Sequence, residues 1–114
     1  MKVSELIEKY GLKVFSGSET PDREISGGYV SDLLSDVMGN AAEHQVWITL
    51  QTHQNVIAIA SLLDLAAVIL VKGLEPDEDT LAHSREEGIA LLGTSLSAFE
   101  MAGRLYAGLN GSSS

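Results

Sequence analysis

Apolar positions recur along this chain with two periods, and the switches between them predict the order of its elements. Val3, Leu6, Ile7 and Tyr10 fall at helical spacing, with Ser4 as an N-cap and Gly11 just past the last turn, so a short amphipathic helix is expected. Lys13 to Phe15 reads as a strand. SGSETPDRE follows, and its Gly, Pro, Ser and charged residues favour turns over burial, which predicts a long loop. Ile25 to Val30 reads as extended. Leu33, Leu34, Val37 and Met38 then form one helical face, capped by Ser31 or Asp32 and closed by Gly39.

From Gln45 onward the pattern becomes regular. Gln45 to Leu50 and Ala67 to Val71 are strands by their β-branched and aromatic content, with a helical segment, Asn55 to Leu63, between them. Such a βαβ unit implies parallel strands joined by a right-handed crossover. A helix is predicted over Asp77 to Glu87: Pro76 suits its first turn, Asp77, Glu78 and Asp79 suit the positive end of its dipole, and Gly88 follows its last turn. Ile89 to Leu92 is a further strand. Ser97 and Glu100 form an S-x-x-E capping box that opens a final helix reaching about Tyr106, and residues 109–114 read as a frayed, flexible tail. The succession predicts a single compact α/β domain over residues 1–108, with a mainly parallel β-sheet flanked by helices.

Composition narrows what such a domain does. Sixteen acidic residues against seven basic ones give a formal charge of −9, which repels phosphate backbones and anionic lipid, so neither nucleic acid nor a membrane surface is an expected partner. Without cysteine there are no disulfides, no thiolate nucleophile and no cysteine-ligated metal. The longest apolar run, Leu65 to Val71, falls far short of the roughly 20 residues that span a bilayer. Glu5 and Glu8 interrupt the apolar positions near the start, unlike a signal peptide, so a cytoplasmic location is expected.

The common catalytic signatures are missing. No G-x-x-x-x-G-K-[ST] loop, G-x-G-x-x-G loop or G-x-S-x-G elbow occurs, and His44, His53 and His83 lack H-E-x-x-H spacing. No catalytic residue, metal site or cofactor is therefore expected. One polar run stands out: Gln51, Thr52, His53, Gln54 and Asn55 lie between the Trp47 strand and the next helix. Ligands of open parallel sheets bind beyond the carboxyl ends of strands, and helix N-termini favour anions, which makes Gln51, His53 and Asn55 candidate ligand contacts. The plainer reading is that Thr52 or Asn55 caps the helix and His53 is an ordinary loop residue. Gly27 and Gly28 either make a turn or let a ligand approach the backbone closely. Arg23 either pairs with Asp22 or meets an anionic ligand. The acidic cluster of Glu75, Asp77, Glu78 and Asp79 lacks calcium-loop spacing and fits helix N-terminal stabilisation. Phe99, Met101, Leu105 and Tyr106 supply a core face or a partner-binding face.

Three stretches, GGYVSDLLSDVM, QTHQNVIAIASLLDLAAVILVKG and EEGIALLGTSLSAFEMAGRLY, resemble the DRTGG family, whose fold is similar to the N-terminal domain of HPr kinase/phosphorylase. The resemblance covers roughly Ile25 to Tyr106. The D-R-T-G-G string itself is absent; its place is taken by KGLEPDEDTLAHSREEGIALLGT, with Gly73 and Pro76 in a GxxP turn. Family members stand alone or accompany CBS pairs and some phosphotransacetylases, which implies sensing or regulation. The nucleotide-binding loop of HPr kinase sits in a separate domain with no counterpart here. The resemblance thus implies a regulatory or ligand-sensing domain without catalytic activity of its own, with a nucleotide or another anionic small molecule as the candidate ligand, while the small core and the apolar final helix predict a homodimer. The alternatives are an accessory subunit in phosphoryl transfer that uses His53, and a structural adaptor that docks on a protein partner.

Overall fold

Two apolar stripes on each central strand decide the architecture. In β3 (Gln45–Thr49), Val46 and Ile48 face one side of the sheet and Trp47 the other. In β4 (Ala67–Leu70), Ala67 and Ile69 join the first side while Val68 and Leu70 join the second. A strand that is apolar on both faces must be covered twice, which is why its sequence reads as an unbroken apolar run. On the first side α1 (Val3–Tyr10) and α5 (Ala98–Leu109) contribute Val3, Leu6, Met101 and Leu105. On the second, α2 (Leu34–Asn40) and α3 (Asn55–Leu62) contribute Val37, Val56, Ile57 and Ala60, with α4 (Glu78–Glu87) packed beside α3. The result is a three-layer, single α/β domain.

The computed structural model describes residues 1–17 and 22–111. Its sheet has the order β1-β5-β4-β3-β2, with β1 at Lys13–Ser16, β2 at Gly27–Val30 and β5 at Ala90–Gly93. β2 through β5 are parallel and lie in chain order, so right-handed crossovers put α2, α3 and α4 on one face. β1 closes the far edge antiparallel to β5. Among the described residues no helix is long and apolar enough to cross a membrane.

Several boundaries differ from the sequence expectation, each for a local reason. α1 starts at Val3 with Lys2 in the N-cap position; Ser4 lies inside the helix, its N–H donating to Asp22 Oδ1 at 2.9 Å. β2 begins at Gly27, not Ile25. Neither Ser31 nor Asp32 caps α2, whose N-cap is Leu33: Asp32 Oδ1 accepts instead from Leu50 N (2.7 Å) and Thr49 Oγ1 (2.9 Å) at the end of β3. Gly39 lies within α2, and Leu33 and Met38 are exposed. Asp77 caps α4 rather than starting it, accepting from Thr80 N at 2.8 Å, and Gly88 ends that helix in the left-handed region as expected. The Ser97–Glu100 capping box forms, and α5 runs past Tyr106 to Leu109, which packs on the core and so belongs to the domain rather than to a tail. Ser112 to Ser114, and Ser18 to Pro21 of the turn-rich segment, lie outside the described residues.

Candidate functional site

The run Gln51–Asn55 leaves the carboxyl end of β3 as expected, but much of its hydrogen bonding is spent on the fold. Gln51 Nε2 donates to the Asp32 carbonyl (2.9 Å), Gln51 N donates to Thr49 Oγ1 (3.1 Å), and the Thr52 carbonyl accepts from Thr80 Oγ1 (2.8 Å). α3 begins without a side-chain cap, so neither Thr52 nor Asn55 plays that part; His53 and Asn55 are exposed. Gly27 and Gly28 lie in the edge strand β2 beneath α5. A Cβ on Gly28 would stand 2.7 Å from Leu105 Cδ2, so the missing side chain lets the helix settle on the strand. Arg23 does not pair with Asp22, whose carboxylate is taken by Ser4. Its Nη1 donates to Asp64 Oδ1 at 2.5 Å, just before the amino end of β4 and therefore at the opposite end of the sheet from Gln51. The guanidinium holds the Asp64 carboxyl below the usual carboxylate range. The six candidates are thus spread over three places.

A different recess, of about 440 Å³, opens beyond the carboxyl ends of β4 and β5. Phe15 of β1 and Gly93 of β5 form its floor. A Cβ on Gly93 would lie 2.5 Å from Phe15 Cε2, so only glycine lets the ring lie across the strand end. One wall is the loop of Thr94, Ser95 and Leu96. It is tied to the β4 loop by Thr94 N to the Leu70 carbonyl (3.0 Å), Lys72 N to the Leu96 carbonyl (2.8 Å) and Gly73 N to the Thr94 carbonyl (2.9 Å). The other wall joins the end of α1 to α5, where Tyr10 Oη donates to the Arg104 carbonyl at 2.7 Å.

The charges gathered here oppose those of the chain as a whole. Lys13 Nζ lies 5.0 Å from the centre of the Phe15 ring and 2.9 Å from Glu75 Oε1. Both members of that ion pair are more than 60% exposed (63% and 67%), which makes it worth about 0–1 kcal/mol and leaves Lys13 available to a stronger partner. Arg104 also lines the recess and has no carboxylate partner among the described residues. Lys9 sits 5.6 Å over the Tyr10 ring, and Lys72 adjoins Gly73. Two of the seven basic side chains, Lys13 and Arg104, therefore line this recess against the single carboxylate of Glu75, in a molecule of net charge −9. Lysine and arginine recognise phosphate or carboxylate, hydroxyls supplement them, and an aromatic face accepts a planar group.

The same rule that singled out QTHQN fits GTSLS, the polar run that leaves β5, so Thr94 and Ser95 were within reach of sequence reasoning. Lys13, Phe15 and Arg104 were not. They reach the recess through an antiparallel edge strand and the last helix, a pairing that local patterns do not encode.

No protein-family model matches the chain, and no curated protein matches it. Among solved structures it is similar to the CBS and DRTGG domains of the regulatory region of Clostridium perfringens pyrophosphatase, complexed with the activator diadenosine tetraphosphate. The TM-score is 0.69 at 15% identity, over 90% of this chain and 44% of that one. The chain thus has a DRTGG-like fold and spans under half the length of that neighbour.

Proposed function

We propose that this chain is a regulatory domain that senses an anionic small molecule, with a nucleotide as the fitting class, in the recess beyond β4 and β5. The observation that carries this reading is the convergence of Lys13 and Arg104 on Phe15 and the Thr94–Ser95 hydroxyls, in a chain otherwise dominated by carboxylates. A phosphate chain would meet the two cations and a base would lie against the Phe15 ring. The pyrophosphatase regulatory region that shares the fold takes a dinucleotide activator, which supports a nucleotide over a simple anion. The groups lining the recess are suited to binding, and no catalytic step is assigned to them. This reading places the protein in the cytoplasm.

The test is a thermal-shift screen against nucleotides, acetyl phosphate, coenzyme A derivatives and common anions, since a ligand of the native state raises Tm by mass action. A hit that weakens in Lys13→Ala and Arg104→Ala but persists in His53→Ala supports the recess. A hit that depends on His53 returns the site to the β3–α3 junction and revives the phosphoryl-transfer alternative.

A homodimer is part of the same proposal. Phe99 and Tyr106 of α5 are 88% and 72% exposed, and Val30 of the edge strand β2 is 51% exposed. A groove of about 480 Å³ lined by Gly27, Gly28, Val30 and Tyr106 runs between strand and helix. Light scattering on the wild type and on Tyr106→Asp reads this directly: a dimer mass that falls to the monomer supports the α5–β2 face, and a wild-type monomer rejects it. An unoccupied face of this kind also suits the adaptor alternative.

A further inference from the structure

The turns that precede β3 and β4 bring three metal-ligating side chains together at the amino end of the sheet. Glu43, His44 and Asp64 each offer a ligand atom, and these atoms lie within 4.8 Å of one another. The two turns are stitched together, since His44 N donates to the Asp64 carbonyl at 2.8 Å and Ala66 N donates to the Gln45 carbonyl at 2.8 Å. We propose that Glu43, His44 and Asp64 form a binding site for one divalent transition ion, with Zn²⁺ as the best fit. Zinc accepts one imidazole nitrogen and carboxylate oxygens at about 2.0–2.2 Å in a tetrahedral set, with water in an open position. Ligand atoms in such a set stand about 3.4 Å apart, so an ion would draw together groups that already lie within 4.8 Å.

Arg23 does not close the site. Its Nη1 occupies Asp64 Oδ1, and the carboxylate retains its second oxygen for the ion. A hydrogen bond to the outer side of a ligating carboxylate orients it. Glu43 is exposed and His44 and Asp64 are half-buried, so the ion would enter from solvent, drawn by the net charge of −9. The imidazole separates this group from the carboxylate clusters that merely decorate an acidic surface, and it selects a borderline cation over calcium or magnesium.

The experiment is calorimetric titration of ZnCl₂ into the untagged full chain. One saturable site per chain is expected. His44→Asn removes the imidazole with a residue that tolerates the left-handed backbone at this position (φ 66°), and Glu43→Gln alters only an exposed side chain. Each removes a direct ligand and should weaken binding by at least about 10-fold. His53→Asn and His83→Asn should bind like the wild type. Absence of saturable binding by the wild type, binding that survives both His44→Asn and Glu43→Gln, or binding lost instead with His53 or His83 would overturn the assignment. Should His44→Asn fail to fold by circular dichroism, Glu43→Gln decides the question alone.

Discussion

Gly17 closes β1 with φ 104°, and an added Cβ there would stand 2.4 Å from the Ala90 Cα. Backbone strain and a backbone clash act in the same direction, so Gly17→Ala should destabilise the fold by roughly 1–3 kcal/mol or more, measured as a lower urea midpoint. Gly93→Ala differs, because its new Cβ would meet the edge of a half-buried Phe15 ring rather than backbone. The ring has room to swing, so the larger effect should be on the recess: nucleotide affinity falls by more than stability does. Acid sensitivity also resides in single residues. The Thr80 backbone N–H holds the Asp77 carboxyl below the usual range, and the Ser4 hydroxyl and then its N–H do the same for Asp22. A folded pKa below the unfolded value of about 3.9 means that these carboxylates stabilise the fold above that pH and lose the contribution as pH falls through the folded values. Thermal melts should therefore be flat near neutrality and decline below about pH 4. Asp77→Asn and Asp22→Asn should each flatten that decline.

Helix α5 shows both what local pattern reveals and what it merges. Its capping box follows from S-x-x-E alone, and Ser97→Ala should cost about 1 kcal/mol by chemical denaturation. Its four large apolar residues read as a single face, yet Met101 and Leu105, four apart, turn into the core while Phe99 and Tyr106, seven apart, turn to solvent. A core face and a partner face coexist, separated by the helical period. β3 and β4 were legible because strands covered on both sides are apolar throughout. The start of α2 was not, because Asp32, a sound N-cap by type, is drawn instead to Thr49 and Leu50 at the end of β3. α4 buries Thr80 and Ser84 rather than an apolar stripe, and was found through its acidic start and its closing glycine. Ser84 Oγ and Ser16 Oγ hydrogen-bond at 2.5 Å in the core, so Ser84→Val should destabilise by leaving Ser16 short of a partner, with a cost of about 1–3 kcal/mol.

For the molecule as a whole, the βαβ reading anticipated a mainly parallel sheet, while the antiparallel placing of β1 came only with the structure. That one strand shapes the recess, since it carries Lys13 and Phe15 to the carboxyl end of β5. The rule that ligands sit beyond strand ends pointed, in the sequence, to the end of β3, and the recess lies at the same edge of the sheet beyond β4 and β5. The distribution of charge favours β5: cations converge there, whereas Gln51 at the β3 end is bound to the Asp32 carbonyl. Chemical-shift mapping by ¹H–¹⁵N NMR, with ATP and diadenosine tetraphosphate titrated into the labelled chain, separates the two directly. Saturable shifts centred on Gly11, Gly73, Thr94 and Ser95 are expected; shifts centred on Gln51 to Asn55, or a spectrum that neither nucleotide moves, would contradict a nucleotide-sensing recess at β4 and β5.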